Sequence, residues 1–154
     1  MTKPIAVLIL NWNGAKLLQE SLPSVCKNTN SQLADVIIAD NGSVDNSREV
    51  LQSEFPTVKT ILFDENYGFA EGYNLAIKKC QEYKYTVLLN SDVQVGENWL
   101  EPLYDYCEKH PDVAACQPKI LSYKEPRKFE YAGAAGGFID KLGYPYCRGR
   151  IFST

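Results

Sequence analysis

The chain is poor in the residues from which several familiar catalytic centres are built. It contains a single histidine, His110, so a metal site with several histidines cannot be assembled from it. His110 stands before Pro111, late in a predicted helix, which favours a structural role for it. Its cysteines are odd in number and form no Cys-x-x-Cys pair; they are Cys26, Cys80, Cys107, Cys116 and Cys147. Such a scattered set predicts neither a disulfide framework nor a zinc site, and it favours a reducing, cytoplasmic compartment.

Long hydrophobic runs and a surplus of positive charge are also missing. No stretch approaches the roughly 20 apolar residues that cross a bilayer, and the apolar run at 5–10 is too short for the core of a signal peptide. The net charge is −3, with 16 basic and 19 acidic residues, which leaves no cationic excess for a nucleic-acid backbone. The sequence therefore predicts no nucleic-acid partner and no transmembrane segment in this chain.

What the sequence does contain is a regular alternation of strand and helix patterns within one domain-sized length of 154 residues. Short apolar runs at 5–10, 36–39, 58–63, 85–89 and 113–116 predict five strands. The predicted inward helix positions between and after them are Leu17, Leu18, Ser21, Leu22 and Val25; Val50, Leu51 and Phe55; Phe69, Tyr73, Ile77 and Cys80; and Trp99, Leu100, Leu103 and Cys107. This order predicts an α/β fold, a three-layer sandwich with a mostly parallel sheet.

Two further features refine that fold. The run at 85–89 shows no alternation of polar and apolar residues, so it is predicted to be a strand buried on both faces. From residue 117 onward, prolines and glycines interrupt every helical period, which predicts loops and short strands.

Polar residues collect directly after each of the first four predicted strands. They are Asn11, Trp12, Asn13 and Gly14; Asp40, Asn41, Gly42 and Ser43; Asp64, Glu65, Asn66, Tyr67 and Gly68; and Asn90, Ser91 and Asp92. The carboxyl ends of parallel strands share one edge of a sheet, and open α/β sheets bind their ligands there. The same residue types are required by turns, so each cluster also has a purely local explanation.

Several of these residues have the chemistry that recognises a nucleotide. Trp12 either roofs the core or offers a flat face on which a base stacks. Asp40 has an acceptor for the N–H of a pyrimidine, and Asn41 or Ser43 could do similar work.

The remaining clusters suit the diphosphate. Asn66 and Gly68 stand where a helix begins, and exposed backbone N–H groups at a helix start favour a phosphate. Asp92 is a hard oxygen ligand for Mg2+ or Mn2+, which proteins hold with one or two carboxylates plus substrate phosphates. Asn90 offers a weaker metal ligand or a contact to ribose.

Taken together, in this order and spacing, the clusters closely resemble the nucleotide-binding half of glycosyltransferase family 2. The resemblance rests on residues 7–13, 39–47, 66–70 with Asn74, and 88–93. It implies the GT-A fold and transfer of a sugar, with inversion at the anomeric carbon, from a nucleoside diphosphate sugar such as a UDP- or dTDP-sugar. A glycan or lipid-linked hydroxyl would be the acceptor, in polysaccharide biosynthesis in the cytoplasm or at the inner face of the membrane. The tail at 133–140 and 143–150 looks like the rhamnosyltransferase-like branch.

By position, the resemblance assigns a role to each cluster: the base pocket to Asn11, Trp12 and Asn13, base recognition to Asp40 and Asn41, and a place near the sugar nucleotide to Asn66. Asp92 matches the last acid of the family's Asp-x-Asp motif, which holds the divalent metal. Asn90 stands in place of the first acid of that motif, so its role is less closely defined than that of Asp92.

The general base that the resemblance implies, an acid in a later Glu-Asp motif, has no counterpart in the sequence and is expected beyond Thr154. The acids after Asp112 are Glu125, Glu130 and Asp140, and none of them stands in such a motif. The chain is therefore interpreted as a donor-binding fragment without its base. Residues 1–118 would form the nucleotide-sugar-binding core, and 119–154 the truncated start of an acceptor-side region.

Two other classes of protein compete with this interpretation. A non-catalytic module could bind a nucleotide or nucleotide sugar on the same sheet, and it would be favoured if the parent sequence lacked a Glu-Asp motif after residue 154. A phospho-receiver domain needs acids after its first strand to hold Mg2+, whereas this chain has Asn11, Trp12 and Asn13 there.

Overall fold

The computed structural model describes residues 3–130 and 134–149. The chain divides into two compact units, Met1–Leu100 and Glu101–Thr154. The first unit contains strands β1 (Ile5–Asn11), β2 (Ala34–Asn41), β3 (Lys59–Phe63) and β4 (Tyr85–Leu89), alternating with helices α1 (Ala15–Asn28), α2 (Ser47–Glu54) and α3 (Gly68–Lys78). The second contains α4 (Glu101–Lys109), β5 (Ala134–Ile139) and β6 (Pro145–Gly149). The two-unit division at Leu100 does not test the functional boundary at residue 118, which stays a prediction.

The first four strands form one parallel sheet in the order β3-β2-β1-β4. The register pairs Ile5 with Ala34 and with Tyr85, so β1 lies in the middle with β2 and β4 on its two sides. A parallel sheet requires a crossover between successive strands, and the helices α1, α2 and α3 supply those connections. The predicted α/β fold with a parallel sheet is confirmed.

Helices cover the sheet because its central strand is apolar on both faces. Ala6 and Leu8 of β1 join the core on one face with Tyr73 and Ala76 of α3. Ile5, Val7 and Ile9 alternate with them and are also buried, so they lie on the other face. There α1, with an apolar stripe whose buried residues are Leu18, Leu22 and Val25, packs beside α2.

Strand β4 is the main correction to the predicted fold. Its bounds, Tyr85–Leu89, are those predicted, but it is not buried on both faces. Among the described strands its only hydrogen-bonded neighbour is β1, so it forms an edge of the sheet. Leu88 is 55% exposed, so none of the described residues covers its side chain on that face of β4. An uninterrupted apolar run marks a strand, but it does not reveal whether a neighbour covers it.

Three smaller predictions were also wrong. Residues 113–116 do not form a strand. They pair with no described strand, and a β-strand requires hydrogen bonds to a neighbouring strand. Leu17 and Phe69, predicted to point inward, are exposed. Phe69 lies in the first turn of α3, where its ring meets that of Tyr73 edge to face. None of the described helices combines the length and apolarity needed to span a bilayer.

The second unit is built from α4 and an antiparallel hairpin. Gly143 has a φ of +88° in the hairpin turn, and the carboxylate of Asp140 accepts hydrogen bonds there from the N–H groups of Leu142 and Tyr144. Asp140 therefore has a local role in the turn of this hairpin. Cys107 of α4 lies with its Sγ 3.5 Å from that of Cys116, although both thiols are free.

Candidate functional site

The polar clusters predicted from the sequence lie at the carboxyl edge of the parallel sheet in the first unit. Asn11 is the last residue of β1, and Asp40 and Asn41 are the last two of β2. Residues 64–68 follow β3, and residues 90–92 follow β4. Because β4 is the neighbour of β1, the 90–92 loop leaves the sheet beside the loop that begins at Asn11.

The loops after β1 and β2 are locked together by buried side chains. The Nδ2 group of Asn11 donates to Oδ2 of Asp40 at 3.1 Å and to Oγ of Ser43 at 3.2 Å. All three side chains are buried, and Oδ1 of Asn11 has no hydrogen-bond partner among the described residues. A Cβ atom at Gly14 would lie only 2.4 Å from that oxygen, which explains why the α1 helix is preceded by glycine.

Asp40 is the anchor of this network. Its Oδ1 accepts from the backbone N–H of Ser43 at 3.1 Å and from Nε of Arg48 at 2.9 Å. Arg48 also donates to the carbonyl of Phe63, so one guanidinium joins α2, β2 and the end of β3. The side chain of Asp40 is completely buried. A ligand could reach this carboxylate only if one of its protein partners moved away, and the predicted base-reading role of Asp40 stays a prediction.

Asn13 and Trp12 lie on the outside of the same loop. Asn13 has a φ of 50°, in the left-handed region that asparagine tolerates better than most residues. Its N–H donates to Oγ of Ser43 at 2.9 Å, and its side-chain oxygen accepts from the N–H of Val44. Trp12, held between two fixed residues, is 56% exposed. Of the two roles considered for this tryptophan, roofing the core is therefore wrong, and its indole ring is accessible to a ligand.

Asn41 connects β2 to the start of α3. Its Nδ2 donates to Oδ1 of Asn66 at 2.8 Å and to the carbonyl of Gly68 at 3.0 Å, and its Oδ1 accepts from the N–H of Tyr67. The next residue, Gly42, has a φ of +73°, and a Cβ atom there would lie 2.5 Å from the carbonyl carbon of Glu65. The two loops therefore touch backbone to backbone, which only glycine permits.

The start of α3 is less open than the sequence indicated. The N–H of Gly68 donates to Oδ1 of Asn66 at 2.7 Å, and that of Tyr67 is taken by Asn41. These two N–H groups are therefore occupied within the protein. A phosphate at this helix start would have to bind the later N–H groups of the first turn. The phosphate-binding role of Asn66 and Gly68 stays a prediction.

Asn90 and Asp92 are exposed at the end of β4. The N–H of Val93 reaches the carbonyl of Asn90 at 3.4 Å, which turns the chain back immediately after the strand. No group of three or more metal-binding side chains occurs in the ranges 3–130 and 134–149. A single exposed carboxylate still fits a Mg2+ or Mn2+ ion whose other ligands are substrate phosphates and water.

The structure adds three residues that the sequence did not single out for the site. They are Asp45, Arg48 and Tyr73. Asp45 accepts from the N–H of Ala15 at the start of α1 and from that of Ser47 at the start of α2. Burial raises its pKa, but these hydrogen bonds outweigh that effect and leave the pKa below its ordinary value. The sequence signal for Asp45 was its position before a helix; Arg48 and Tyr73 had no such signal.

The parallel four-stranded sheet with its helices is the fold of the GT-A glycosyltransferases. The model of "Glycosyl transferase family 2" matches residues 6–150, and this chain belongs to that family. A relative in Mycobacterium tuberculosis, an N-acetylglucosaminyl-diphospho-decaprenol L-rhamnosyltransferase, is 25% identical over 130 residues, which are 78% of this chain and 42% of that protein. The chain spans less than half the length of the curated relatives that it matches.

Solved structures agree on the fold. Residues 1–349 of TarS from S. aureus, in complex with UDP-GlcNAc, match with a TM-score of 0.62 and 20% identity over 71% of this chain and 32% of that one. A mannosyltransferase from Pyrobaculum calidifontis, in complex with GDP-Man and Mn2+, matches with a TM-score of 0.56 and 16% identity over 79% of this chain and 34% of that one. At these identities the similarity concerns the fold alone. The rhamnosyltransferase-like tail motifs include Gly133 and Arg150, which lie outside the described residues.

Proposed function

We propose that this chain is the donor-binding part of a glycosyltransferase that uses a UDP- or dTDP-sugar. The observation that carries the proposal is that buried hydrogen bonds join the loops after β1 and β2, and that Asn41 joins them to the loop after β3, beside an exposed Trp12 and an exposed Asp92. The network makes the edge rigid, and the two exposed side chains offer what a nucleotide diphosphate needs, a stacking surface and a carboxylate. Family membership and the nucleotide sugar bound to a relative of the same fold support this choice of ligand.

In the proposed complex, the indole of Trp12 stacks on the base and Asn90 contacts the ribose. Asn11 and Asn13 shape the base pocket, and Asp40 either reads the base after exchanging a partner or holds the pocket in place. Asp92 holds a Mg2+ or Mn2+ ion together with the diphosphate. When bound, the ion would stabilise the negative charge that the diphosphate gains as it leaves.

The reaction proposed for the whole protein is an inverting substitution. The hydroxyl oxygen of a glycan or lipid-linked acceptor bonds to the anomeric carbon, and the bond from that carbon to the diphosphate oxygen breaks. The hydroxyl proton passes to a carboxylate that acts as the general base. We place that base in a segment that this chain does not include, because the chain spans less than half the length of its relatives. The cytoplasmic location, at or near the inner face of the membrane, stays a prediction.

The test is a thermal-shift panel of UDP, dTDP, GDP and ADP with and without Mn2+. A ligand at ten times its Kd stabilises the folded state by about 1.4 kcal/mol. For a chain of this size that corresponds to a rise in Tm of about 3 to 6 °C. We expect UDP or dTDP to give such a rise, and Mn2+ to increase it. No shift with any nucleotide at millimolar concentration would refute the donor site.

A pair of matched variants locates the metal. Asp92→Asn keeps the shape of the side chain and removes its charge, so the increase due to Mn2+ should disappear while the shift without metal remains. Asp105→Asn makes the same change at an exposed position of α4 and should alter neither shift. Equal behaviour of the two variants would show that Asp92 does not hold the ion.

A further inference from the structure

The hydroxyl group of Tyr73 stands between β1 and β4 at the point where the two strands separate. The last paired residues of these strands are Ile9 and Leu89. The Tyr73 hydroxyl accepts from the N–H of Leu10, the residue after Ile9, at 3.4 Å, and it donates to the carbonyl of Leu89 at 2.9 Å. A side chain of α3 therefore bridges the two strands in place of a direct backbone hydrogen bond.

The position of this hydroxyl is closely determined. Tyr73 is 4% exposed and belongs to the core beneath α3, and its ring meets that of Phe69 edge to face at 5.0 Å between centroids. Burial raises the pKa of Tyr73, so the hydroxyl keeps its proton and remains a donor. The ring is fixed by packing and the oxygen by two backbone groups, which leaves it little freedom to move.

The two backbone groups that it joins lie directly before the two halves of the candidate site. Leu10 precedes Asn11, Trp12 and Asn13, whose loop is held by the buried network around Asp40. Leu89 precedes the 90–92 loop, at the end of an edge strand whose described neighbour is β1 alone. Beyond this loop the chain is held to α1 at Val95, whose N–H donates to Oγ of Ser24 and whose carbonyl accepts from Nδ2 of Asn28. The Tyr73 hydroxyl holds the other end of the loop, at Leu89, and ties it to the β1 side.

We infer that Tyr73 is a positioning residue that sets the separation between Asp92 and the base pocket. This inference rests on the proposed function. The residue makes no contact with the ligand in this scheme; it acts through Leu89 on the loop that bears Asp92. The alternative is an ordinary buried tyrosine, which contributes to stability and has no specific effect on the site.

Isothermal titration with UDP and with dTDP, each with and without Mn2+, separates these possibilities. Tyr73→Phe removes one oxygen atom and keeps the ring packing. We expect the Kd without metal to stay within about twofold, and the tightening due to Mn2+ to fall about fivefold, the size of effect that follows the loss of one hydrogen bond. An ordinary buried tyrosine would leave the effect of Mn2+ unchanged, and that result would overturn the inference.

Tyr83→Phe is the matched control. Tyr83 is also buried, and its hydroxyl donates to Asp35 at 2.7 Å at the opposite edge of the sheet. This variant should lose stability without any change in the effect of Mn2+. If both variants weakened the effect of Mn2+ equally, the cause would be general loosening of the fold and Tyr73 would have no special role.

A double variant tests whether Tyr73 acts through Asp92. In the Asp92→Asn background the effect of Mn2+ is already lost, so adding Tyr73→Phe should change the nucleotide Kd no further. A further, independent loss of affinity would overturn the inference while leaving the donor site intact. Failure of the unsubstituted chain to bind either nucleotide would instead refute the proposed function, and the inference with it.

Discussion

Replacement of Asp35 by asparagine should weaken the fold without weakening nucleotide binding. Asp35 lies near the start of β2, at the amino edge of the sheet, opposite the candidate site. Its carboxylate accepts from Lys3 at 2.5 Å, from Lys59 at 2.7 Å and from the hydroxyl of Tyr83 at 2.7 Å. Lys3 precedes β1, Lys59 begins β3 and Tyr83 precedes β4, so one carboxylate ties the starts of all four strands.

The size of the effect follows from the pKa of this group. Burial alone would raise the pKa of Asp35, but the hydrogen bonds from Lys3, Lys59 and Tyr83 outweigh it and hold the pKa at about 2, against an ordinary value of 3.8. That interval corresponds to about 2.4 kcal/mol of stability. The two lysine side chains are 33% and 57% exposed, so solvent screening reduces the expected contribution to about 1 to 1.5 kcal/mol.

The contribution must depend on pH in one direction. A carboxyl group whose pKa is lowered by folding stabilises the folded state above its unfolded pKa, and the stabilisation is lost as the pH falls from about 4 towards 2. Urea denaturation at several pH values should therefore show Asp35→Asn about 1 to 1.5 kcal/mol less stable than the unsubstituted chain at pH 7. The difference should shrink to about a third of that value near pH 2.5 and approach zero below the folded pKa of about 2.

The thermal shift given by UDP or dTDP is the internal control, since the amino edge does not contact the carboxyl edge of the sheet. It should be the same in both proteins at pH 7. A stability difference that stays constant from pH 7 to pH 2.5 would refute the electrostatic argument, because an uncharged carboxyl group would then stabilise the fold as well as a charged one. Equal stability at pH 7 would refute it directly.

Two further substitutions test the packing of the site by urea denaturation. Gly42→Ala should cost at least about 2 kcal/mol more than Gly68→Ala, because both glycines have a φ of +73° but only Gly42 has backbone atoms within 3 Å of the new Cβ; equal losses would contradict the close contact. Arg48→Ala should cost about 2 to 3 kcal/mol, because it leaves the buried carboxylate of Asp40 without its cation. Lys16→Ala, which removes an exposed ion pair on α1, should cost less than about 0.5 kcal/mol, and a similar loss for Arg48→Ala would show that the buried pair has no special role.

The buried and the exposed residues of the candidate site differ in how freely they can be substituted. Asp40, Asn11 and Ser43 are all enclosed and bonded to one another, so a change in any of them alters the shape of the edge before it alters a contact to a ligand. Trp12 and Asp92 are exposed, so they can be replaced at little cost to folding. We therefore expect preferences for base and metal to be tuned at the exposed positions and the geometry to be maintained by the buried ones.

Local sequence patterns were sufficient for the four strands of the parallel sheet and for the placement of the polar clusters at their carboxyl ends, but they also predicted a strand at 113–116 that does not form. The apolar run at 85–89 predicted β4 to the residue, and the run at 5–10 predicted β1 to within one. Strand bounds are readable because a change from apolar to polar residues occurs within neighbouring positions. The placement of the polar clusters at one edge followed from the parallel order of the strands, which the alternation with helices requires.

Only the tertiary structure decided what each polar side chain does there. The partners of Asp40 come from β1, α2 and its own turn, those of Asp35 lie 24 to 48 residues away in sequence, and the Tyr73 hydroxyl meets Leu10 across 63. The same holds for the exposure of β4, which depends on whether another element packs over its faces. These contacts depend on distances between segments that are remote along the chain, and no periodicity within one segment contains that information.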